Sequence, residues 1–268
     1  MTMSKSTPAT GRKPLYVLKI GGSMLDELEK DFLLNIKELM SDYHLLIVHG
    51  AGPAISAKLM TQNVDAPFIN GLRKTTRSAM EVVESVLGGT KNRELTGKLI
   101  SEGVDAVGVR GCDQIISAEF LDYASYGYVG ASPQVDTKLL HHLLEGDFLP
   151  VVAPLGRTLN GDIVNVNADT AASGIAKALG ADKLIFVTDV PGVMKNEQVL
   201  DRLTSEEIEL LIEEDTIYGG MIPKVRAAEE ALSEKLQESV IVSGKQPILK
   251  NGKWKGTIIN KERKGTFI

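Results

Sequence analysis

Residues 16–23 read YVLKIGGS, and residues 45–53 read LLIVHGAGP. Each starts as an apolar run of strand length and ends in glycines, so each reads as a strand running into a tight turn. Segments 105–109, 149–154, 183–189 and 239–243 read as strands on the same grounds. Most are apolar throughout instead of alternating, the pattern of strands buried on both faces in a parallel sheet flanked by helices. Helical spacing fills the intervals. Phe32, Leu33, Ile36, Leu39, Met40 and Tyr43 share one face, and Thr204 with Glu207 makes a capping box ahead of Ile208, Leu211 and Ile212. The alternation predicts an α/β sandwich, with the turn-rich segments 115–130 and 156–166 projecting from the sheet as hairpins.

Bulk properties narrow the function. The chain of 268 residues is 43% apolar, enough for a full core, and carries a net charge of −5. Nucleic-acid binding, whose footprint is a basic stripe, is disfavoured. No apolar run approaches the length of a membrane span. Residues 1–14, MTMSKSTPATGRKP, have no apolar h-region, so they read as a frayed tail and not as a secretory signal. The single cysteine, Cys112, reads as a small core filler with no disulfide partner and no zinc-like cluster around it. His49 reads as orienting the turn that follows it, and His44, His141 and His142 as surface residues. A cytoplasmic protein is the expectation.

Ligands of open α/β sheets bind beyond the C-terminal ends of the strands, where both glycine turns lie. Gly21, Gly22, Gly50 and Gly52 permit close backbone approach, with amides aimed at an anion above them, although tight turns with no ligand explain the same glycines. The second turn is not a GxGxxG fingerprint, since Ile55 stands where glycine is required, and no GxxxxGK[ST] phosphate loop occurs. Lys19 separates these alternatives, because an ammonium ending a buried strand is costly unless an anion meets it. In GGMIPK, residues 219–224, Pro223 suits a first helical turn. Lys224 then sits at the positive end of that helix, either as a solvated surface group or facing a compensating anion. In NVNAD, residues 165–169, Asn165 and Asn167 lie on one side of an extended segment. Asp169 opens the next helix, over 171–179, as its N-cap or as a carboxylate serving the lysines.

KIGGS, VHGAGP, NGLRKTT (70–76), VNVNAD (164–169), TDVPGV (188–193) and GGMIPK occur in the order found in the amino acid kinase family, which the chain resembles over about residues 15–256. The resemblance implies a three-layer α/β/α sandwich around a mainly parallel eight-stranded sheet, in a single domain over 15–268. Its part up to about residue 180 would bind an amino-acid substrate, and residues 181–268 would bind ATP. The members it is most similar to move the γ-phosphoryl group of ATP onto the side-chain carboxylate of N-acetyl-L-glutamate, in arginine biosynthesis. By the same resemblance Lys19 and Lys224 stabilise the transferring group, Asp169 orients both ammonium groups, and Gly22, Gly50, Ala51 and Gly52 supply amides to its oxygens. Arg73 would hold the substrate's α-carboxylate and Asn165 its N-acetylamino group, with Ala51 and Gly52 beside them. Nucleotide contacts would come from Asp189, Val190, Pro191, Gly192, Val193 and Met194, and from Thr216, Ile217 and Tyr218. Mg²⁺ would be held mainly by the phosphates, with no protein metal ligand. An ionised carboxylate needs no general base to attack phosphorus, which agrees with the lack of a Ser-His or Cys-His constellation.

Other readings stay open on the sequence: a kinase for a carrier-protein-linked aminoadipate or glutamate, or a non-catalytic nucleotide and amino-acid sensor on the same fold. Aspartate kinase is disfavoured, as a second, regulatory domain would be expected to follow. Ala51 departs from the family, which has glycine there; either the turn needs no positive φ or the phosphoryl contact is weakened. Arginine-inhibited members carry an N-terminal amphipathic helix that links dimers into a ring. Residues 1–14 hold two prolines and little apolar surface, so a homodimer insensitive to arginine is expected.

Overall fold

The computed structural model describes residues 12–261. Most of the tail expected over 1–14, and with it the segment on which the assembly reading rests, lies outside the described residues. The sheet has eight strands in the order Arg202–Thr204, Gly256–Asn260, Glu238–Ser243, Lys183–Thr188, Leu15–Ile20, His44–His49, Leu149–Ala153 and Ala106–Arg110. Neighbours pair in parallel except Glu238–Ser243 with Gly256–Asn260. The mainly parallel eight-stranded sheet is therefore present, and it includes every strand read from the sequence.

Strand periodicity divides the core into two layers. Leu15 and Val17 join Leu46, Val48, Leu184 and Phe186 on one face, whereas Tyr16, Leu18 and Ile20 join Leu45, Ile47, Ile185 and Val187 on the other. The first layer is closed by residues of the helices Ala168–Leu179 and Met221–Glu230, the second by those of Lys30–Leu39 and Asn92–Ser101. Phe32 and Ile36 of Lys30–Leu39 are fully buried, and each such side chain stabilises by about 1.5–3 kcal/mol. A period of two gives Lys19 the same face as Leu15 and Val17, so the strand aims its ammonium at the layer of the helices carrying Asp169 and Lys224.

The expected hairpins close on each other. Ile116–Phe120, Val129–Val135, Leu155–Arg157 and Ile163–Val166 form a small closed barrel, and its last strand delivers Asn165 and the helix Ala168–Leu179 to the sheet's edge of ligands. That helix starts earlier than the expected 171–179. Its N-cap is Asn167, whose Oδ1 accepts the N–H groups of Asp169 at 2.8 Å and Thr170 at 3.0 Å. The capping box of Thr204 and Glu207 is formed in both directions. Arg77–Val83 runs through a π-helical segment, Glu84–Lys91, into Asn92–Ser101.

Candidate active site

With Asn167 as the cap, the Asp169 side chain is free to act elsewhere. It meets the Lys19 ammonium at 2.9 Å, with the two side chains 18% and 35% exposed. The helix dipole favours a carboxylate in this first turn. Lys224 pairs with Asp189 at 2.6 Å instead of with Asp169. Asp189 leaves the end of Lys183–Thr188, so here each ammonium has its own carboxylate, whereas the sequence reading gave Asp169 to both. The hydrogen bond from Lys224 is the main cause that holds the Asp189 carboxyl below the usual carboxylate range. All four groups border a cavity of about 340 Å³, along with Gly22, Ser23, Gly52 and Pro223.

The glycine turns meet backbone to backbone. A Cβ on Gly22 would lie 2.6 Å from the Gly52 nitrogen and 2.8 Å from that of Ala51. Only glycine permits that approach. Ala51 has φ −152°, a value open to any residue, so the turn does not need the positive φ that a glycine would supply. Its methyl is buried with Ile55 and Leu59. The helix Gly52–Thr61 that follows has no acidic residue in its first turn and no side-chain cap, which leaves amides at its positive end for an anion.

A second cavity, of about 170 Å³, lies across Gly52 and is lined by Gly50, Ala51, Phe68, Arg73, Asn165 and Asn167 among others. Arg73 is 8% exposed and forms no ion pair with a carboxylate among the described residues. Its guanidinium donates to Ser56 Oγ at 2.6 Å, to the Gly52 carbonyl at 3.2 Å and to the Ala66 carbonyl at 3.4 Å, and lies 4.5 Å from the Phe68 ring centre. Burial lowers its pKa, yet a guanidinium stays charged. A buried, fixed, uncompensated cation is a seat for an anion. Asn165 lies beside it, its amide 3.3 Å from Thr75 Oγ1.

The residues expected at the nucleotide are spread out. Asp189 borders the larger cavity, the Val190 N–H is taken by Thr188 Oγ1 at 3.1 Å, and Pro191 is half-buried. Gly192 has φ +147°, and a Cβ there would come 2.7 Å from Thr257 Oγ1. Val193 and Ile217 are buried in the first core layer, so their side chains are committed to packing. Met194 and Tyr218 are exposed and Thr216 half-buried. Among the described residues no three His, Cys, Asp or Glu side chains converge as a metal-ligand set.

Sequence reading missed Ser56 and Phe68, which frame Arg73. The available signal was the Asn70-Gly71 pair, with φ 49° and 78°, the chemistry of a tight hairpin turn. That hairpin pairs Phe68 directly with Arg73. Cys112 is buried, as read, and burial pushes its thiol up to about 11. His44 is half-buried at its strand's start instead of lying on the surface.

The sequence profile described as "Amino acid kinase family" matches residues 14–243. The acetylglutamate kinase of Geobacillus kaustophilus is 48% identical over 248 residues, covering 92% of this chain and 96% of that protein. The acetylglutamate kinase of Bacillus subtilis is 45% identical over 253 residues, with coverage of 94% and 98%. Among solved structures, a Streptococcus mutans protein at 34% identity superposes with a TM-score of 0.80 over 93% of this chain and 99% of its own. The N-acetylglutamate synthase of Neisseria gonorrhoeae, complexed with coenzyme A and N-acetyl-glutamate, shares the fold at 22% identity and a TM-score of 0.79, over 94% of this chain and 60% of its own.

Proposed function

The chain belongs to the amino acid kinase family, and on that premise we propose that it moves the γ-phosphoryl group of ATP onto the side-chain carboxylate of N-acetyl-L-glutamate. The products are N-acetyl-L-glutamyl 5-phosphate and ADP, in arginine biosynthesis. The observation that carries the reading is two cavities meeting at Gly52, one holding the uncompensated Arg73 and the other Lys19 and Lys224. The first suits an amino acid's α-carboxylate and the second a polyphosphate.

The chemistry asks the protein to bring two anions together and to stabilise charge on the group in transit. In this reading Arg73 takes the α-carboxylate as a planar fork, and Asn165 bonds the N-acetylamino group. Lys19 approaches the transferred phosphoryl group from the strand end and Lys224 from the helix start, while Gly22, Gly50, Ala51 and Gly52 present amides. Asp169 holds Lys19. Asp189 holds Lys224, and residues 190–194 and 216–218 form the nucleotide's border by their backbone and by their exposed side chains. The two carboxylates bordering this cavity, Asp169 and Asp189, are each paired with a lysine and form no cage, a donor set that fits Mg²⁺ held mainly by the phosphates and supplying charge neutralisation to them. The part up to about residue 180 then serves the amino acid and 181–268 the nucleotide. A homodimer in the cytoplasm is the proposed working form; no helix among the described residues is long and apolar enough to cross a membrane, and light scattering at several concentrations checks the dimer.

The deciding experiment is a coupled ADP-release assay offering N-acetyl-L-glutamate, glutamate, aspartate and aminoadipate separately. Turnover is expected with N-acetyl-L-glutamate. Turnover with another acceptor alone overturns the substrate assignment, and ADP release with none overturns catalysis.

A further inference from the structure

We infer that His49 is a positioning residue for phosphoryl transfer: as a neutral imidazole with its proton on Nδ1, it pins the Gly50 carbonyl inward and so aims the Ala51 N–H at the transferred group. The inference rests on the phosphotransfer reading above and deepens it.

The proton's place follows from a chain of hydrogen bonds whose far end admits one polarity. The Val151 carbonyl only accepts, so the Asn92 atom 2.9 Å from it is Nδ2, the donor. The same Nδ2 lies 3.1 Å from His49 Nε2, which must therefore accept and carry no proton. The remaining proton sits on Nδ1, which donates to the Gly50 carbonyl at 3.1 Å. An imidazolium would set an Nε2–H against the Asn92 amide hydrogens. Burial agrees with this, lowering the His49 pKa to about 4.

The carbonyl of Gly50 and the N–H of Ala51 belong to one planar trans peptide and point in opposite directions. Holding the carbonyl against a fully buried ring turns the N–H away from the core. Gly50 is fixed from its other side as well, since its N–H donates to the Ile20 carbonyl at 2.9 Å. The Ala51 nitrogen faces Gly22, which borders the phosphate-sized cavity, while Ala51 itself lines the smaller cavity that meets it at Gly52, and its N–H donates to no acceptor among the described residues. The Oδ1 of Asn92 is buried without a partner among the described residues, and a Cβ on Gly108 would come 2.2 Å from that atom. An amide whose oxygen is orphaned and faced by a glycine makes its side-chain hydrogen bonds through Nδ2, to His49 and the Val151 carbonyl.

Two measurements test this. Long-range proton–nitrogen NMR of the histidine-labelled protein reads the tautomer with no substrate needed. The Nδ1–H form of His49 is expected, and an Nε2–H form refutes the inference whatever the acceptor proves to be. In the ADP-release assay His49→Phe keeps a ring without a donor, whereas His49→Asn keeps a donor where Nδ1 stood. A fall in kcat of about 100-fold is expected for His49→Phe, with both KM values little changed and most of the rate restored in His49→Asn. Undiminished kcat in His49→Phe, or equal losses in both variants, overturns the positioning role. Wild-type protein that turns over no acceptor overturns the phosphotransfer reading on which it rests.

Discussion

Gly22→Ala is the sharpest perturbation of the phosphoryl site, because the new methyl meets only backbone. It would lie 2.6 Å from the Gly52 nitrogen, 2.8 Å from the Ala51 nitrogen and 2.9 Å from the Ala51 Cα. The closest of these is roughly 0.8 Å short of ordinary contact, and no flexible side chain is available to absorb the difference. Gly22 is not among the residues with positive φ, so the whole penalty is steric. Overpacking of this kind costs about 1–3 kcal/mol, a loss to be read from the urea midpoint. The turns must part by most of an ångström, which carries their amides away from the phosphoryl oxygens, and misplacement on that scale costs up to about 100-fold in rate. We expect kcat in the ADP-release assay to fall between about 10- and 100-fold. Gly97→Ala is the control: it lies within Asn92–Ser101 with no atom within 4 Å of a new Cβ, and should gain about 0.5–1 kcal/mol in stability with unchanged rate. Folded Gly22→Ala protein turning over at the wild-type rate would refute the role assigned to the paired turns.

Lys224→Ala should lower kcat by about 100-fold or more while shifting KM far less, as the proposed contact with the transferring group would be strongest in the transition state; an unchanged kcat removes it from the mechanism. Arg73→Lys should raise the KM for N-acetyl-L-glutamate and leave that for ATP nearly unchanged, because an ammonium cannot fork onto a carboxylate, and equal effects on both would assign the arginine to the fold. Ala51→Gly should give no gain in kcat and lose about 0.5–1 kcal/mol of stability through the freer unfolded chain, as φ −152° needs no glycine; faster turnover would show strain in the turn. Asp189 has a depressed pKa caused first by Lys224, so its pair contributes fully above the ordinary aspartate value of about 3.9 and is lost as pH falls through the lower folded-state value. Because the pair is largely exposed, Asp189→Asn should alter that arm of the acid-unfolding curve only slightly; an NMR titration of the Asp189 carboxyl carbon should show the depressed pKa, and an ordinary aspartate value would mean that the pair is not formed in solution.

Six contiguous strands, from Glu238–Ser243 to the edge strand Ala106–Arg110, were legible, most of them because burial on both faces writes an apolar residue at nearly every position. Arg202–Thr204 and Gly256–Asn260 were not. The first is three residues long with only Leu203 buried, and the second mixes Thr257 and Asn260 with its isoleucines, so neither carries a periodic signal. In NVNAD both Asn167 and Asp169 are good N-caps. Local preference leaves that choice open, and the pairing of Asp169 with Lys19, 150 positions away in sequence, accompanies the outcome seen. The lysines themselves stood out as charges in places where charge is costly. Their partners did not, because Lys224 meets Asp189 only once the helix Met221–Glu230 has docked beside the strand Lys183–Thr188. Ser56 and Phe68 look ordinary in sequence and gain meaning only from the guanidinium that the hairpin lays between them.

The two ion pairs also bear on how a phosphate competes for the lysines. None of the four side chains is fully buried: Lys19 and Asp169 are 18% and 35% exposed, and Lys224 and Asp189 are 30% and 56% exposed. Pairs in such surroundings are screened and contribute little, so a lysine can exchange its carboxylate for a phosphoryl oxygen at small cost. A deeply buried pair would behave differently, since drawing one partner away strands the other charge without water. Asp189, the most exposed of the four, is the readiest to be left behind. Asp169 is backed by the N-terminus of its helix and remains compensated when the Lys19 ammonium turns toward substrate. The arrangement therefore keeps both cations oriented while leaving them free to follow the charge that moves between ATP and the acceptor, which is the requirement that phosphoryl transfer sets for this site.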